Sequence, residues 1–396
     1  MFNAADRRYM KKALALAEKG LGLASPNPSV GCLIVRDGRV AGRGWHEYTQ
    51  KDHAEVRALR EAGQRARNAT AYVTLEPCCH QGRTPPCTKI LMRSGVSRVV
   101  VARIDPDPRV AGKGIERLRS AGIRVDVGLM SREAGRVIES YACHRTSGIP
   151  LVTSKVGMSL DGKIGTGRQE GRRITSAEGN EFGQHLRRMA DAILVGIGTV
   201  LFDDPELNCR AKEPRARPLL RVVLDSRLRT PPAARLFRTC PDYPVLLFCS
   251  RHAAESRAAK LERQGAEIIR IAGSDAGLDP RAVLRELGHR GVLGLLVEGG
   301  SRIHWSFLSM ELVDKFFFII APFVLGGRDS VPSVGGKGYG ATADAPRFRI
   351  RESRSAGPDM VLEAYPSYSR SIISPWLPQE DAPSVERDSP PSSMRK

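Results

Sequence analysis

From about residue 31 to about residue 327 the chain alternates short apolar runs with charged segments of helical spacing, a pattern that confines it to layered α/β folds. SVGCLIVRDGRVAGRGWH supplies two such runs joined at Asp37-Gly38, the dipeptide that most strongly marks a tight hairpin. HAEVRALREAGQRA then reads as a helix, AYVTLEP as a strand, KILMRSGV as a helix and RVVVARI as a strand, and GIERLRSAGIRVDVGL repeats the helix-strand pair. Ahead of them, RRYMKKALALAEK sets Met10, Leu14 and Leu16 among charges and closes at Gly20, which predicts a surface helix over 7–19.

A polar stretch around Arg145–Pro150 interrupts the alternation. Beyond it LVTSKVGMSLDGKI, DAILVGIGTV, LLRVVLD, VLLFCS, EIIRIA, GLLVEGG and FFFIIAPFVLGG alternate with helical segments again, without repeating the first half. A chain of 396 residues is long for one core, so two α/β domains are expected, over 1–147 and 148–366. The remainder, 367–396, is rich in Pro, Ser and charge and predicts a disordered tail.

No apolar run approaches the length a membrane helix needs, and the N-terminus lacks the apolar core of a signal peptide. Eight cysteines are too few for a disulfide scaffold of this size, so a cytoplasmic, reducing location is expected. The net charge of +19 favours anionic partners: phosphorylated metabolites, dinucleotides or nucleic acid. Aromatic residues are 6% and sit in strand-like runs such as FFFII, which argues against a groove that stacks bases. A small phosphorylated molecule is therefore the expected partner, with no nucleic acid and no membrane, and self-association as a homo-oligomer is left open.

The chemistry-bearing residues of the first half are His53, Glu55 and Cys78. His53-Ala54-Glu55 opens a helix and Pro77-Cys78 follows a strand, so an imidazole, a carboxylate and a thiolate can meet at element ends. Three protein ligands on zinc leave a fourth position for water, whose pKa falls towards about 7, and a nearby carboxylate can carry protons. Zinc deaminases use H-x-E…P-C-x-x-C, with the glutamate outside the ligand set. Here Gln81 stands where the second cysteine would be, which leaves Cys79, His80 and Cys87 as third-ligand candidates. Adjacent cysteines chelate one tetrahedral ion poorly, and the loop QGRTPP can fold Cys87 back towards Cys78.

PNPSVGC, HAEVRAL, TLEPCCHQGRTPPC and DPDPRVAGKG together resemble the bifunctional riboflavin-biosynthesis family, in which a diaminohydroxyphosphoribosylaminopyrimidine deaminase is fused to a 5-amino-6-(5-phosphoribosylamino)uracil reductase. The resemblance spans about residues 5–365. It implies a cytidine-deaminase-like three-layer domain followed by a dihydrofolate-reductase-like domain, with zinc on His53, Cys78 and Cys87, and Glu55 as proton shuttle. The family usually has serine at Cys79, which makes that thiol a bystander. The implied sequence is deamination of 2,5-diamino-6-(5-phosphoribosylamino)pyrimidin-4(3H)-one, then NADPH reduction of the ribosylamino group, giving 5-amino-6-(5-phosphoribitylamino)uracil.

In the second half, Gly196-Ile197-Gly198-Thr199 and Glu298-Gly299-Gly300-Ser301 follow strands and can bind phosphate through exposed amides, although such turns are commonly only tight connections. Neither is a G-x-G-x-x-G fingerprint. The segments SKVGMSLDGKI, ITSAEG, DAILVGIGTVLFDDPELNCR, VVLDS and LVEGGSRIHWSFL resemble the family's reductase. By matching positions, Gly157, Thr199, Asp203, Ser226 and the run Gly300, Ser301, Arg302, Ile303, His304, Trp305 and Ser306 would line NADPH. Arg187, Leu207, Arg210 and Glu298 would line the ribose-phosphate substrate. Two positions depart: Gly171 replaces a substrate-contacting serine, and Arg173 replaces a tryptophan that packs on the cofactor, leaving Arg173 to stack on the ring or meet phosphate. The alternatives are a deaminase with a silent reductase-like half and a nucleic-acid base deaminase.

Overall fold

The computed structural model describes residues 2–81, 85–167, 173–212, 215, 217–240, 242–274 and 277–368. The first half forms a five-stranded sheet in the order Arg39–Trp45, Gly31–Arg36, Thr70–Val73, Arg98–Val101, Arg124–Val127. Its first three strands are antiparallel neighbours and the last three run parallel. The hairpin turns where the sequence placed it: Asp37 (φ 49°) and Gly38 (φ 72°) both occupy the left-handed region, as a two-residue turn matched to strand twist requires.

Both faces of this sheet are covered, and side-chain alternation shows how. Cys32, Ile34, Ala71, Val73, Val99 and Val101 pack against helices Ala54–Ala62, Cys87–Ser94 and Lys113–Ser120. Leu33, Val35, Tyr72 and Val100 point the other way, onto helices Ala4–Lys19 and Ser131–Val137. The result is three layers. The N-terminal helix is therefore a core element instead of the surface helix its charges suggested, because Tyr9, Met10, Ala13, Leu14, Leu16 and Ala17 are all buried. Its start is fixed by a capping box between Asn3 and Asp6. Asp6 also accepts hydrogen bonds from Tyr72 Oη (2.8 Å) and Arg98 Nη1 (2.7 Å) of the sheet.

The second half forms a nine-stranded sheet in the order Ala266–Ile271, Val245–Ser250, Leu220–Leu224, Ala192–Gly196, Gly294–Val297, Leu151–Ser159, Lys315–Ala321, Asp359–Ser367, Arg347–Ala356. Seven strands are parallel, and the last two form an antiparallel hairpin on the edge. Helices Pro280–His289 and Ser301–Ser309 cover one face, and Ala177–Met189 and Glu255–Glu262 the other. The edge hairpin is absent from the sequence reading. Ser367 ends its second strand and Tyr368 packs against the core, so the ordered chain passes the expected boundary at 366. Residues 369–396 of the expected tail lie outside the described residues.

Helix Glu139–Ser147 joins the two halves. Its Glu139 is paired with the Lys315 ammonium and accepts from Tyr365 Oη (3.1 Å), and His144 Nε2 lies 3.0 Å from the Gly288 carbonyl oxygen. Leu75, Ile138, Tyr141 and Leu293 close an apolar cluster between the sheets.

Candidate active sites

His53 is the residue preceding helix Ala54–Ala62, and Glu55 lies in that helix's first turn, so a two-residue spacing places both at one helix end. Cys78 follows strand Thr70–Val73, and Cys87 begins helix Cys87–Ser94. His53 Nδ1 lies 3.6 Å from Cys78 Sγ and 3.2 Å from Cys87 Sγ. All three ligand atoms fall within 4.8 Å of one another, and among the described residues no other His/Cys/Asp/Glu cluster meets that condition. A tetrahedral zinc with Zn–S of about 2.3 Å and Zn–N of about 2.0–2.1 Å separates sulfur from nitrogen by roughly 3.6 Å, so the donor set fits that ion.

Neither Cys79 nor His80 joins the trio. The Cys79 carbonyl accepts from Arg117 Nη1 (2.5 Å), and His80 is exposed on the rim of the cavity. Residues 82–84 of the loop before Cys87 lie outside the described residues. Hydrogen bonding with Cys87 holds the Cys78 thiol well below its ordinary value, and the backbone N–H of Cys87 adds a 3.3 Å contact to the same sulfur. Cys87 is pushed up by its hydrogen bond to Cys78 and by burial. Burial raises Glu55 as well.

The cavity around these residues, about 160 Å³, is lined also by Asn27, His46, Asp105, Asp107, Arg109, Tyr141 and Arg145. None of these was read as a site residue. His46 Nδ1 meets the Asp52 carbonyl (2.9 Å) and Nε2 meets Asn27 Nδ2 (3.0 Å), which leaves a neutral ring donating at Nδ1, and burial lowers its pKa. Glu76 of TLEPC looks like a catalytic acid but is a loop anchor. It accepts from the backbone N–H groups of Asp105 (3.2 Å), Gly112 (2.9 Å), Gly114 (2.8 Å) and Ile115 (3.2 Å), and so holds DPDPRVAGKG against the cavity. Burial raises Asp105 to about 6.

In the second half, Glu298 ends strand Gly294–Val297 and is gripped by Arg187, whose Nε and Nη2 each lie 2.9 Å from a carboxylate oxygen. Lys155 Nζ stands 3.6 Å from the same group. Burial works against the Glu298 charge, but Arg187 and Lys155 outweigh it and hold the carboxyl at about 2. Lys155 was not picked out from the sequence. Its signal was present, since a lysine in the middle of a sheet strand needs an acidic partner, yet that partner lies far along the chain.

Thr199, Ser226 and Gly300 all follow the carboxyl ends of parallel strands, where open α/β sheets bind ligands. The Thr199 hydroxyl lies 3.6 Å from where a Cβ on Gly300 would stand. A Cβ on Gly196 or Gly299 would come within 2.7 Å of the Ile303 side chain, so both glycine turns are set by close packing of that isoleucine. Within the 300–306 run the side chains diverge. Arg302 is exposed, Ser301 and His304 are buried, and the His304 ring points inward with Nδ1 2.7 Å from Ser154 Oγ. Trp305 packs edge-on against Tyr339 at 5.1 Å. Leu207 adopts φ 56° with its side chain buried in the core. Gly157 abuts Thr175, and Asp203 ends the helix that carries Thr199.

Arg173 is exposed on a groove of about 620 Å³ with Asn180, His185, Arg210 and Lys212; the groove lining contains none of Thr199, Asp203 or Ser226. The geometry thus groups Arg173 with an expected substrate residue, away from the expected cofactor residues. Gly171 lies outside the described residues.

A two-domain chain pairing a deaminase-type His-Glu-Cys-Cys pocket with a reductase-type sheet is the class these features define. Residues 3–103 match the cytidine and deoxycytidylate deaminase zinc-binding region, and residues 150–362 match the RibD C-terminal domain. Riboflavin biosynthesis protein RibD of Aquifex aeolicus is 39% identical over 362 residues, covering 91% of this chain and 99% of that protein. The Escherichia coli K12 protein of the same name is 38% identical over 375 residues, covering 90% and 98%. The solved Acinetobacter baumannii RibD superposes with a TM-score of 0.81 at 33% identity, covering 92% of this chain and 99% of that one. A Thermotoga maritima diaminohydroxyphosphoribosylaminopyrimidine deaminase/5-amino-6-(5-phosphoribosylamino)uracil reductase gives 0.80 at 33% identity with the same coverage. The chain belongs to the RibD family of riboflavin-biosynthesis proteins, and its two domains are a deaminase and a reductase. The single-activity alternative is not favoured.

Proposed function

We propose that the chain deaminates 2,5-diamino-6-(5-phosphoribosylamino)pyrimidin-4(3H)-one in its first domain and reduces the product with NADPH in its second, yielding 5-amino-6-(5-phosphoribitylamino)uracil. The observation that carries this reading is the convergence of His53, Cys78 and Cys87 beside a buried Glu55. We assign the three as zinc ligands. Bound there, zinc would supply an ionised water near neutral pH. Glu55 is placed to accept a proton from the attacking water and pass it to the ring nitrogen, and then to carry the proton of the new hydroxyl to the amine as the C–N bond breaks and C=O forms, so that water enters and ammonia leaves. The anchored 105–114 loop and His46 shape the rest of the pocket around the pyrimidine.

In the second domain Arg187, Lys155 and Glu298 form a charged cluster that we assign to the opened ribosylamine, whose C1′=N bond takes hydride from NADPH at C1′ and a proton at the nitrogen. We assign Gly157, Thr199, Asp203, Ser226, Gly300, Ser301, Arg302 and Trp305 as the residues that would hold NADPH, which would supply the hydride. Arg173 and Arg210 are assigned to the substrate's phosphorylated end, since they share one groove. The working division is 1–147 for the first activity and 148 to at least 368 for the second. Among the described residues no helix is long and apolar enough to cross a membrane, and all eight cysteines are unpaired.

The test is direct. Purified protein should carry one zinc per chain by elemental analysis, release ammonia from the diaminopyrimidine and oxidise NADPH with the deaminated product. Zinc content unaffected by Cys87→Ala would refute the ligand assignment.

A further inference from the structure

The deaminase cavity contains a cation that the mechanism above does not use. Asp107, buried in the wall, is held by Arg109 Nη2 at 2.5 Å, which commits that guanidinium to one carboxylate. Arg145 reaches the same oxygen only at 3.8 Å. Its Nε is buried without a hydrogen-bond partner, and its guanidinium lies over the Tyr141 ring at 5.2 Å from the centroid. Tyr141, one helical turn earlier, donates to Asp105 Oδ1 (3.2 Å) and is itself fixed. Arg145 is thus a partly dehydrated fork, steadied by an aromatic face and lining the same cavity as His53 and Glu55, with no hydrogen bond to protein among the described residues. A dehydrated donor left unmatched costs free energy, which a ligand acceptor would recover.

We propose that Arg145 binds the phosphate monoester of the substrate in the deaminase site, an inference that rests on the proposed deaminase reading. A planar guanidinium matches two phosphate oxygens at once, which a lysine cannot do. The other charges facing the cavity support the assignment. Glu55 and Asp105 are acidic, Glu76 is saturated by backbone amides, Arg109 is spent on Asp107, and Lys51 is an exposed rim cation. An anionic ligand entering among these carboxylates needs a cation of its own, and among the described lining cations Arg145 is the partly buried one with an unmatched donor. Its position is set from the other domain, because helix Glu139–Ser147 is tied down by Lys315 and Tyr365 at Glu139 and by the Gly288 carbonyl at His144. Arg145 is therefore a specificity residue delivered by the domain junction.

Steady-state ammonia release should be measured with the phosphorylated substrate and with its dephosphorylated riboside, for wild type, Arg145→Ala and Arg145→Lys. Loss of a charge-assisted bidentate contact should raise KM for the phosphorylated substrate roughly tenfold in the alanine variant, with an intermediate rise for lysine. The riboside's KM, and kcat for both substrates, should stay at wild-type values. An equal rise for both substrates, or none, would overturn the assignment. A second readout does not need turnover: ribose 5-phosphate, with ribose as control, should slow amide exchange in Glu139–Ser147 of wild type and not of Arg145→Ala. No protection in wild type refutes the Arg145 site, whereas protection without any ammonia release from wild type refutes the deaminase reading instead.

Discussion

The two sites are built in opposite ways. The deaminase pocket draws its metal-ligand residues and Glu55 from two short motifs, 53–55 and 78–87, and brings them together at the starts of two helices. The reductase cluster draws Lys155 and Arg187 from a strand and a helix and Glu298 from a strand end more than a hundred residues further on, and closes them through one buried ion-pair network. Local spacing makes the first a site before the rest of the domain is considered. Tertiary packing alone makes the second. Removing one group should accordingly silence the first without unfolding it, and should both silence and loosen the second.

Glu55→Gln gives the largest contrast. The amide keeps shape and volume but cannot carry a proton, so ammonia release should fall by about 10²–10⁴-fold, with zinc retained and NADPH oxidation of the deaminated substrate unchanged. Glu298→Gln should lose NADPH oxidation and also cost about 3–5 kcal/mol of stability, because Arg187 and Lys155 stay buried without their counter-charge; denaturant unfolding checks this, and an unchanged midpoint would show the network is not structural.

Acid titration should act on Glu298 and Asp105 with opposite sign. Glu298 is held at about 2 against an ordinary value near 4.5, so its pairing stabilises fully above pH 4.5 and is lost as pH falls towards 2. Asp105 is raised by burial to about 6, so its contribution is present below its ordinary value near 3.8 and lost as pH rises through about 6. Thermal midpoints of Asp105→Asn and wild type should diverge between pH 4 and 7, with the variant relatively more stable at the upper end. The smallest effect is expected at Arg173, an exposed cation, where Arg173→Ala should raise KM for the phosphorylated substrate of the reductase by about two- to fivefold and leave NADPH affinity unchanged. A weakened NADPH affinity instead would return Arg173 to the cofactor.

The same contrast explains what the sequence discloses. Zinc chemistry demands particular residue types, so His53, Glu55 and Cys78 were readable, and the family resemblance agreed with the GRTPPC loop on Cys87 over His80. The role of Glu76 was not readable, because a carboxylate beside a metal motif looks the same whether it meets substrate or four backbone amides. Arg187 and Glu298 are reached only through the family resemblance, and Lys155 is invisible until the strands are ordered. The N-terminal helix carries enough charge to look superficial, yet Asp6 is there to meet Tyr72 and Arg98. The edge hairpin went unread because RFRIRESRSA spreads arginines over an exposed strand, a composition that discourages edge pairing and also hides the strand's period.

The central claim is that one chain holds two chemically separate centres used in a fixed order. The most direct test gives Glu55→Gln protein and NADPH first the undeaminated and then the deaminated substrate. The account predicts no NADPH oxidation with the former and the wild-type rate with the latter. NADPH consumption with the undeaminated substrate would show that reduction does not depend on deamination, and loss of reduction with both would show that the two sites are one functional unit.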